Sequence, residues 1–246
     1  MTRLAALALL VLAGCGGTAS GSDEPATVSA ATSLKTAFTA YGKDSDARFS
    51  FAGSDELAAQ IRSGVRPDVF AAANTKLPQA LFEEGLVEKP LLFAANRLVL
   101  AVPAGAGKVR SLGDVERKGV RLAVGAKAVP VGAYTREVLA RLGQRRSRAV
   151  LANVRSEEPD VGGVVGKLTQ GAVDAGFVYA TDVRGAQGRL EAIELPDALA
   201  PRVAYGVAIV KGGKHPEAAR RFVAGLLDGA GAESLRDAGF EPPPAR

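Results

Sequence analysis

Cysteine occurs once in the sequence, at Cys15, histidine once, at His215, and tryptophan not at all. One cysteine leaves no pair for an intrachain disulfide and no thiolate set for a metal. One histidine cannot build a histidine-based metal cluster, and with His215 itself at a surface or cap position no other histidine remains for a Ser-His or Cys-His nucleophile pair. His215 stands in "KGGKHPEA", ahead of a helical pattern, and reads as a surface or cap residue. Aromatic residues make up only 5 % of the chain, too few for a base-stacking surface. The formal charge of +5 is spread along the chain, and its densest cluster, "RLGQRRSR" at 141 to 148, reads as a solvated helix end favoured by the helix dipole. No nucleic-acid partner is expected.

The phosphate-cradling patterns are missing too. The stretch "RLAVGAKAVPVGAYTREVL", 121 to 139, runs from an apolar strand through a glycine-spotted loop into an amphipathic helix. Gly125 and Gly132 are too far apart for a P-loop, and Ala133-Tyr134 occupies the place of its Lys-Ser/Thr step. No G-x-G-x-x-G follows this strand or the first one, which excludes both nucleotide readings. The acidic cluster "SEEPD" at 156 to 160 precedes a helix and suits its N-terminal dipole. Nothing points to a metal-free hydrolase built on Asp or on Ser and Lys, so no catalytic residue and no cofactor is expected.

No apolar run reaches the roughly 20 residues that a membrane span needs. Met1-Thr2-Arg3 followed by "LAALALLVLAG" instead reads as a signal-peptide leader over residues 1–14. "LAGC" at 12 to 15 resembles the lipobox of bacterial lipoproteins, with Cys15 as the lipidated N-terminus after cleavage. Residues 15–26, with "GGTASGSDEPA", read as a flexible tether that holds a folded domain off a membrane surface. Removing 14 residues of 246 leaves 232, enough for two lobes of roughly 100 residues each.

From residue 27 onward, β-type runs alternate with helical patterns. "TVSAA" leads into a helix from Leu34, "RFSFA" into one near Ser54, and "PDVFAAA" into one near Leu77. This βαβαβ order predicts a mostly parallel sheet flanked by helices, with ligands at the carboxyl ends of its strands. After Pro90, "LLFAAN" and "RLVLAVP" follow one another without a helix and carry the chain into a second lobe. There the rhythm restarts with "VRLAVG", a helix from about Gly132 to Leu142, a strand "AVLANV", a helix near Val161 and a strand "DAGFVYA". "RVAYGVAIV" brings the chain back, and two terminal helices pack on the first lobe. The expected organisation is lobe 1 from 27–98 and 203–246, lobe 2 from 99–202, and a hinged ligand cleft between them.

The strand-to-helix junctions carry small neutral donors. "AATSL" places Ser33, and "FAGSDELAAQI" places Ser54, at helix starts whose first N–H groups have no intrahelical partner. Either serine could simply cap its helix. "VPVGAY" and "PDVGGV" open helices in the second lobe at Val131 and Val161, and "FVYATD" brings the hydroxyl of Tyr179 to a strand end. Paired junctions in both lobes favour anion binding over capping.

Taken in order, "AATSL", "FAGSDELAAQI", "PDVFAAAN", "VPVGAY", "PDVGGV" and "FVYATD" resemble the motifs of the molybdate-binding proteins of ABC transporters, over nearly all of residues 27 to 242. The resemblance implies a two-lobed periplasmic-binding-protein fold that captures molybdate, and tungstate as well, through neutral hydrogen-bond donors. It implies hydroxyl and backbone N–H donors at Ser33 and Ser54, backbone N–H groups at Val131 and Val161, and the hydroxyl of Tyr179. The implied partners are an ABC permease with its ATPase and, through Cys15, the outer face of the cell membrane, with the protein a monomer. The only metal implied is that of the oxyanion itself. Three departures mark this chain: Val131 where the family often has alanine, Asn74 where it usually has aspartate, and a shortened "GAKAV" loop before Pro130. A sulfate or phosphate binder of the same fold is the alternative, then a hydrolase of phosphate or sulfate esters, then a ligand-free surface lipoprotein.

Overall fold

The computed structural model describes residues 24–244. The leader, Cys15 and the start of the tether lie outside the described residues. Glu24 to Ala26 lie within them and pack on the domain: Ala26 is buried, its carbonyl accepts the Arg48 N–H, and the Glu24 carboxylate reaches the His215 ring.

Two five-stranded sheets organise the chain. The first contains β1 (Thr27–Ala31), β2 (Arg48–Ala52), β3 (Val69–Ala72), β4 (Leu91–Asn96) and β10 (Val203–Ile209) in the order β2-β1-β3-β10-β4. The second contains β5 (Leu98–Pro103), β6 (Leu122–Gly125), β7 (Val154–Glu158), β8 (Ala175–Tyr179) and β9 (Leu190–Ile193) in the order β7-β6-β8-β5-β9. The two orders follow one plan, each with three parallel strands and a crossing strand inserted beside the third. Only Arg97 separates β4 in one sheet from β5 in the other. β10 makes the return crossing. Because both crossing strands pair antiparallel with their neighbours, each sheet is mixed, and its parallel part is confined to three strands.

The inner parallel strands β1, β3, β6 and β8 are short, mostly apolar runs because helices cover both of their faces; β3 and β8 are buried at every residue, whereas the edge strands β2 and β7 keep exposed polar residues. α1 (Lys35–Ser45), α2 (Ser54–Arg62) and α3 (Lys76–Glu83) flank the first sheet. α4 (Pro130–Leu142), α5 (Gln144–Leu151), α6 (Val161–Thr169) and the short α7 (Ala180–Gly185) flank the second. α8 (Pro216–Leu227) buries Ala219, Phe222, Val223 and Leu226 at helical spacing, and α9 (Ala230–Asp237) follows it. Both return to the first lobe, where the Tyr41 hydroxyl donates to the Phe222 carbonyl at 3.0 Å. The few aromatic residues are concentrated here, with Phe38 edge-on to Phe222 at 5.5 Å.

Two local expectations fail. "AVLANV" is not a strand: Ala149 to Leu151 complete α5, and β7 begins only at Val154. "RLGQRRSR" is not one helix end but a break at Gly143, whose φ of 85° stops α4 and starts α5. Arg145 and Arg146 therefore sit in a first turn, where the dipole does not favour them, and Arg146 is held instead by Glu116. No helix among the described residues is long and apolar enough to cross a membrane.

Candidate functional site

Six strand ends, three from each sheet, meet around one cavity. After β1 come Ala31, Thr32 and Ser33, after β2 Gly53 and Ser54, and after β3 Ala73. The other wall has Val129 to Val131 beyond β6, Asp160 and Val161 beyond β7, and Tyr179 closing β8. Its volume, about 20 Å³ of space for oxygen-sized centres, exceeds the roughly 10–15 Å³ that one water takes. A small polyatomic ion fits; a sugar or a nucleotide does not. All five residues singled out as oxyanion contacts, Ser33, Ser54, Val131, Val161 and Tyr179, line this cavity.

Neither serine caps a helix. Ser54 is the first residue of α2, and its Oγ accepts the Ala73 N–H at 3.1 Å, leaving the hydroxyl proton unspent. Ser33 lies in a 3-10 turn, Thr32–Leu34, that runs directly into α1, and its Oγ is 3.0 Å from the Tyr205 hydroxyl. α2 and α4 start without side-chain caps, so their first N–H groups face the cavity end uncompensated. Val131 stands second in α4 and Val161 first in α6. The Tyr179 hydroxyl is buried and has no hydrogen-bond partner among the described residues. Burial, and then the neighbouring Tyr205, Tyr134 and Asp182, raise its phenol pKa well above the ordinary value, so it is a donor at any physiological pH.

No lysine, arginine or histidine lines the cavity; its one charged residue is an acid, Asp160. That carboxylate caps α6 through the Gly163 N–H at 2.9 Å and accepts the Thr32 hydroxyl at 3.0 Å, which ties the second lobe to the first. The lobes also touch at two glycines. A Cβ on Gly53 would lie 2.6 Å from the Pro159 carbonyl oxygen, and one on Gly162 would lie 2.8 Å from Thr32 Cγ2. Behind Tyr179, Asp182 accepts the Tyr179 N–H at 2.9 Å. Burial lifts the Asp182 carboxyl to about 7 against that hydrogen bond, with Asp160 adding to the rise.

A chamber between two α/β lobes, lined by donors at strand ends, suits the capture of a small ion. The model of the bacterial extracellular solute-binding proteins matches residues 24–241. The chain belongs to that family. This solute-binding chain is 35 % identical over 225 residues to the molybdate-binding protein ModA of Mycobacterium tuberculosis, covering 88 % of this chain and 84 % of the relative. It is 31 % identical to ModA of Haemophilus influenzae, covering 94 % and 95 %. Among solved structures, the periplasmic molybdate-binding protein of Azotobacter vinelandii superposes with a TM-score of 0.79 at 22 % identity, covering 89 % of this chain and 100 % of that one, a likeness of fold.

Sequence reasoning missed Thr32 and Asp160 as cavity residues, although both stand inside the quoted motifs "AATSL" and "PDVGGV". An acid beside an anion site is easily passed over as a helix cap, and Asp160 is a cap as well. Among the described residues, no cluster of His, Cys, Asp and Glu could hold a metal ion.

Proposed function

We propose that this protein captures molybdate, with tungstate as a second ligand, between its lobes and presents it to an ABC permease from a lipid anchor at Cys15, as a monomer. The observation that carries the reading is the Tyr179 hydroxyl, a buried donor without a partner among the described residues, on a side chain that lines a small chamber together with Ser33 and Ser54. A buried donor left unpaired costs about 1–3 kcal/mol, and a hydrogen bond to a charged group contributes about 1.5–3 kcal/mol. Five to seven such bonds supply roughly 8–20 kcal/mol before ordering costs. Micromolar binding needs about 8 kcal/mol, so no cationic side chain is required. That the relatives from Mycobacterium tuberculosis and Haemophilus influenzae are molybdate-binding proteins supports molybdate among the oxyanions. Binding rather than turnover is supported by the match to the bacterial extracellular solute-binding proteins.

A thermal-shift and calorimetric panel of molybdate, tungstate, sulfate and phosphate tests the proposal. Stabilisation by molybdate and tungstate that excess sulfate does not displace is the expected result. Sulfate or phosphate binding in their place would overturn it. Within that panel, Tyr179→Phe or Ser54→Ala weakens molybdate binding by about 1.5–3 kcal/mol, the value of one charge-assisted bond; an unchanged Kd for both would remove these residues from the site.

Asp160 makes an opposite prediction. Asp160→Asn keeps a group that can meet both the Thr32 hydroxyl and the Gly163 N–H while removing a negative charge from the anion's surroundings. Affinity should rise by about tenfold, or roughly 1.4 kcal/mol. A Kd that rises instead would show that the carboxylate's hydrogen bonds to Thr32 and Gly163 matter more than the repulsion.

A further inference from the structure

We propose that Tyr205 and Asn96 are positioning residues that fix the Ser33 hydroxyl as a donor toward the cavity. The inference rests on the oxyanion reading of that cavity and names residues that do not line it. Ser33, Asn96 and Thr181 are buried polar residues, and Tyr205 has no exposed surface. They form one hydrogen-bonded chain.

Its direction follows from counting donors. The Asn96 carbonyl oxygen accepts the Arg97 N–H at 2.9 Å, which settles which end of the amide is nitrogen. The Nδ2 group then donates to Thr181 Oγ1 at 2.9 Å and, more weakly, to the Tyr205 oxygen at 3.5 Å. Tyr205 has a single proton, and among the described residues the one acceptor hydrogen-bonded to it is Ser33 Oγ at 3.0 Å. If Ser33 donated to Tyr205, the phenol proton would be buried without an acceptor, an arrangement that folded proteins avoid. Tyr205 therefore donates to Ser33, and the one proton of Ser33 is left to point into the cavity. Ser54 reaches the same condition by a shorter route, because its oxygen is engaged by the Ala73 N–H.

The surroundings hold the chain in place. The Tyr205 ring lies edge-on to Phe240 at 5.3 Å and to Tyr179 at 6.0 Å. Burial, and then the nearby Asp182, raise its phenol pKa well above the ordinary value, against its hydrogen bonds with Ser33 and Asn96, which lower it, so the proton stays on the phenol. Asn96 ends β4 immediately before the crossing into β5, and Tyr205 lies in the return crossing β10. The chain thus links both crossings between the lobes to a donor in the cavity. A hydroxyl fixed as a donor suits a fully ionised oxyanion and gives nothing to the O–H of a protonated one.

The test is a double-mutant cycle by calorimetry, with molybdate as ligand and sulfate and phosphate in parallel. Tyr205→Phe, which deletes one oxygen and keeps the ring, should weaken molybdate binding about tenfold in the otherwise unchanged protein. In a Ser33→Ala background it should have little further effect, because the group it positions is gone. Its melting temperature without ligand, taken alongside, separates positioning from stability. Phosphate should lose less affinity than molybdate in Tyr205→Phe. An unchanged molybdate Kd for Tyr205→Phe, or an equal loss with and without Ser33, overturns the inference. If the unsubstituted protein binds none of the three anions, the function proposed above fails instead, a result readable apart from the cycle.

Discussion

Gly132→Ala is expected to lower the melting temperature by about 6–12 °C and to take molybdate affinity down more than a hundredfold. Gly132 is the third residue of α4, packed on the end of β6. A Cβ there would overlap the carbonyl oxygens of Ala126 and Gly125 and lie 2.7 Å from the Gly125 carbonyl carbon. All three are backbone atoms, so no flexible side chain can yield. Gly125 reciprocates, since its own Cβ would lie 2.8 Å from the Gly132 nitrogen. The Arg136 guanidinium staples the pair by donating to both carbonyl oxygens, at 3.1 and 3.2 Å. Overpacking costs about 1–3 kcal/mol and occasionally more; a rigid backbone puts this site at about 3 kcal/mol, which for a chain of this size is roughly 2–4 °C per kcal/mol. Relief requires the first turn of α4 to move, and Val131 moves with it. Gly166→Ala is the control, because a Cβ there meets nothing within 4 Å; it should leave Kd unchanged and, as a helix-interior change, add stability of about 0.5–1 kcal/mol. A melting temperature for Gly132→Ala within 2 °C of the unsubstituted protein would contradict the steric account.

Asp68→Ala should cost about 1–3 kcal/mol, the loss expected when buried donors are left without their acceptor. The Asp68 side chain is fully buried and accepts four hydrogen bonds. Two come from the Thr27 N–H and hydroxyl at 2.7 Å each, and two from the His215 N–H at 2.8 Å and its ring Nδ1 at 3.0 Å. These fasten the start of β1 and the entrance to α8 onto the end of the loop before β3. Burial alone would raise the Asp68 pKa, but the hydrogen bonds from Thr27 and His215 outweigh it and bring the carboxyl down to about 2 from 3.8. The folded value is the lower one, so this stability is present above pH 3.8 and is lost as pH falls toward 2. His215 moves the other way, its pKa raised from 6.5 first by Asp68 and then by Glu24. Its contribution is complete below 6.5 and is lost as pH rises through the raised value. The melting-temperature gap between the parent and Asp68→Ala should therefore be widest and flat between pH 3.8 and 6.5 and narrow on both sides; the buried Asp182, whose raised pKa adds its own slope over this range, is common to both proteins and cancels in the gap. A gap that does not narrow on either side would refute this assignment.

The order of elements was legible because hydrophobic runs and turn residues follow one another cleanly from Thr27 onward. The crossings were legible for the same reason: "LLFAAN" and "RLVLAVP" leave no room for a helix between them. The five proposed contacts could be named because each stands at a strand end or helix start, a position that local pattern reveals. Local pattern misled at Ala149 to Leu151, where β-type residues complete a helix that buries only Val150 fully. It also missed β9, a short strand with only Leu190 buried. The chain from Asn96 through Tyr205 to Ser33 was beyond reach, since its links span 109 and 172 positions and arise only once the return strand is seated between β3 and β4. The Asp68 clamp lay hidden for a similar reason, with 147 positions between the acid and its histidine.

The contacts between the lobes separate two properties that an equilibrium constant combines. Thr32 on Asp160, Gly53 beneath the Pro159 carbonyl and Gly162 against Thr32 join the lobes at the edge of the chamber. These contacts are made by groups other than the Ser33, Ser54 and Tyr179 hydroxyls. Weakening them should therefore speed dissociation with little change in discrimination among oxyanions, and substitutions of the three hydroxyls should do the reverse.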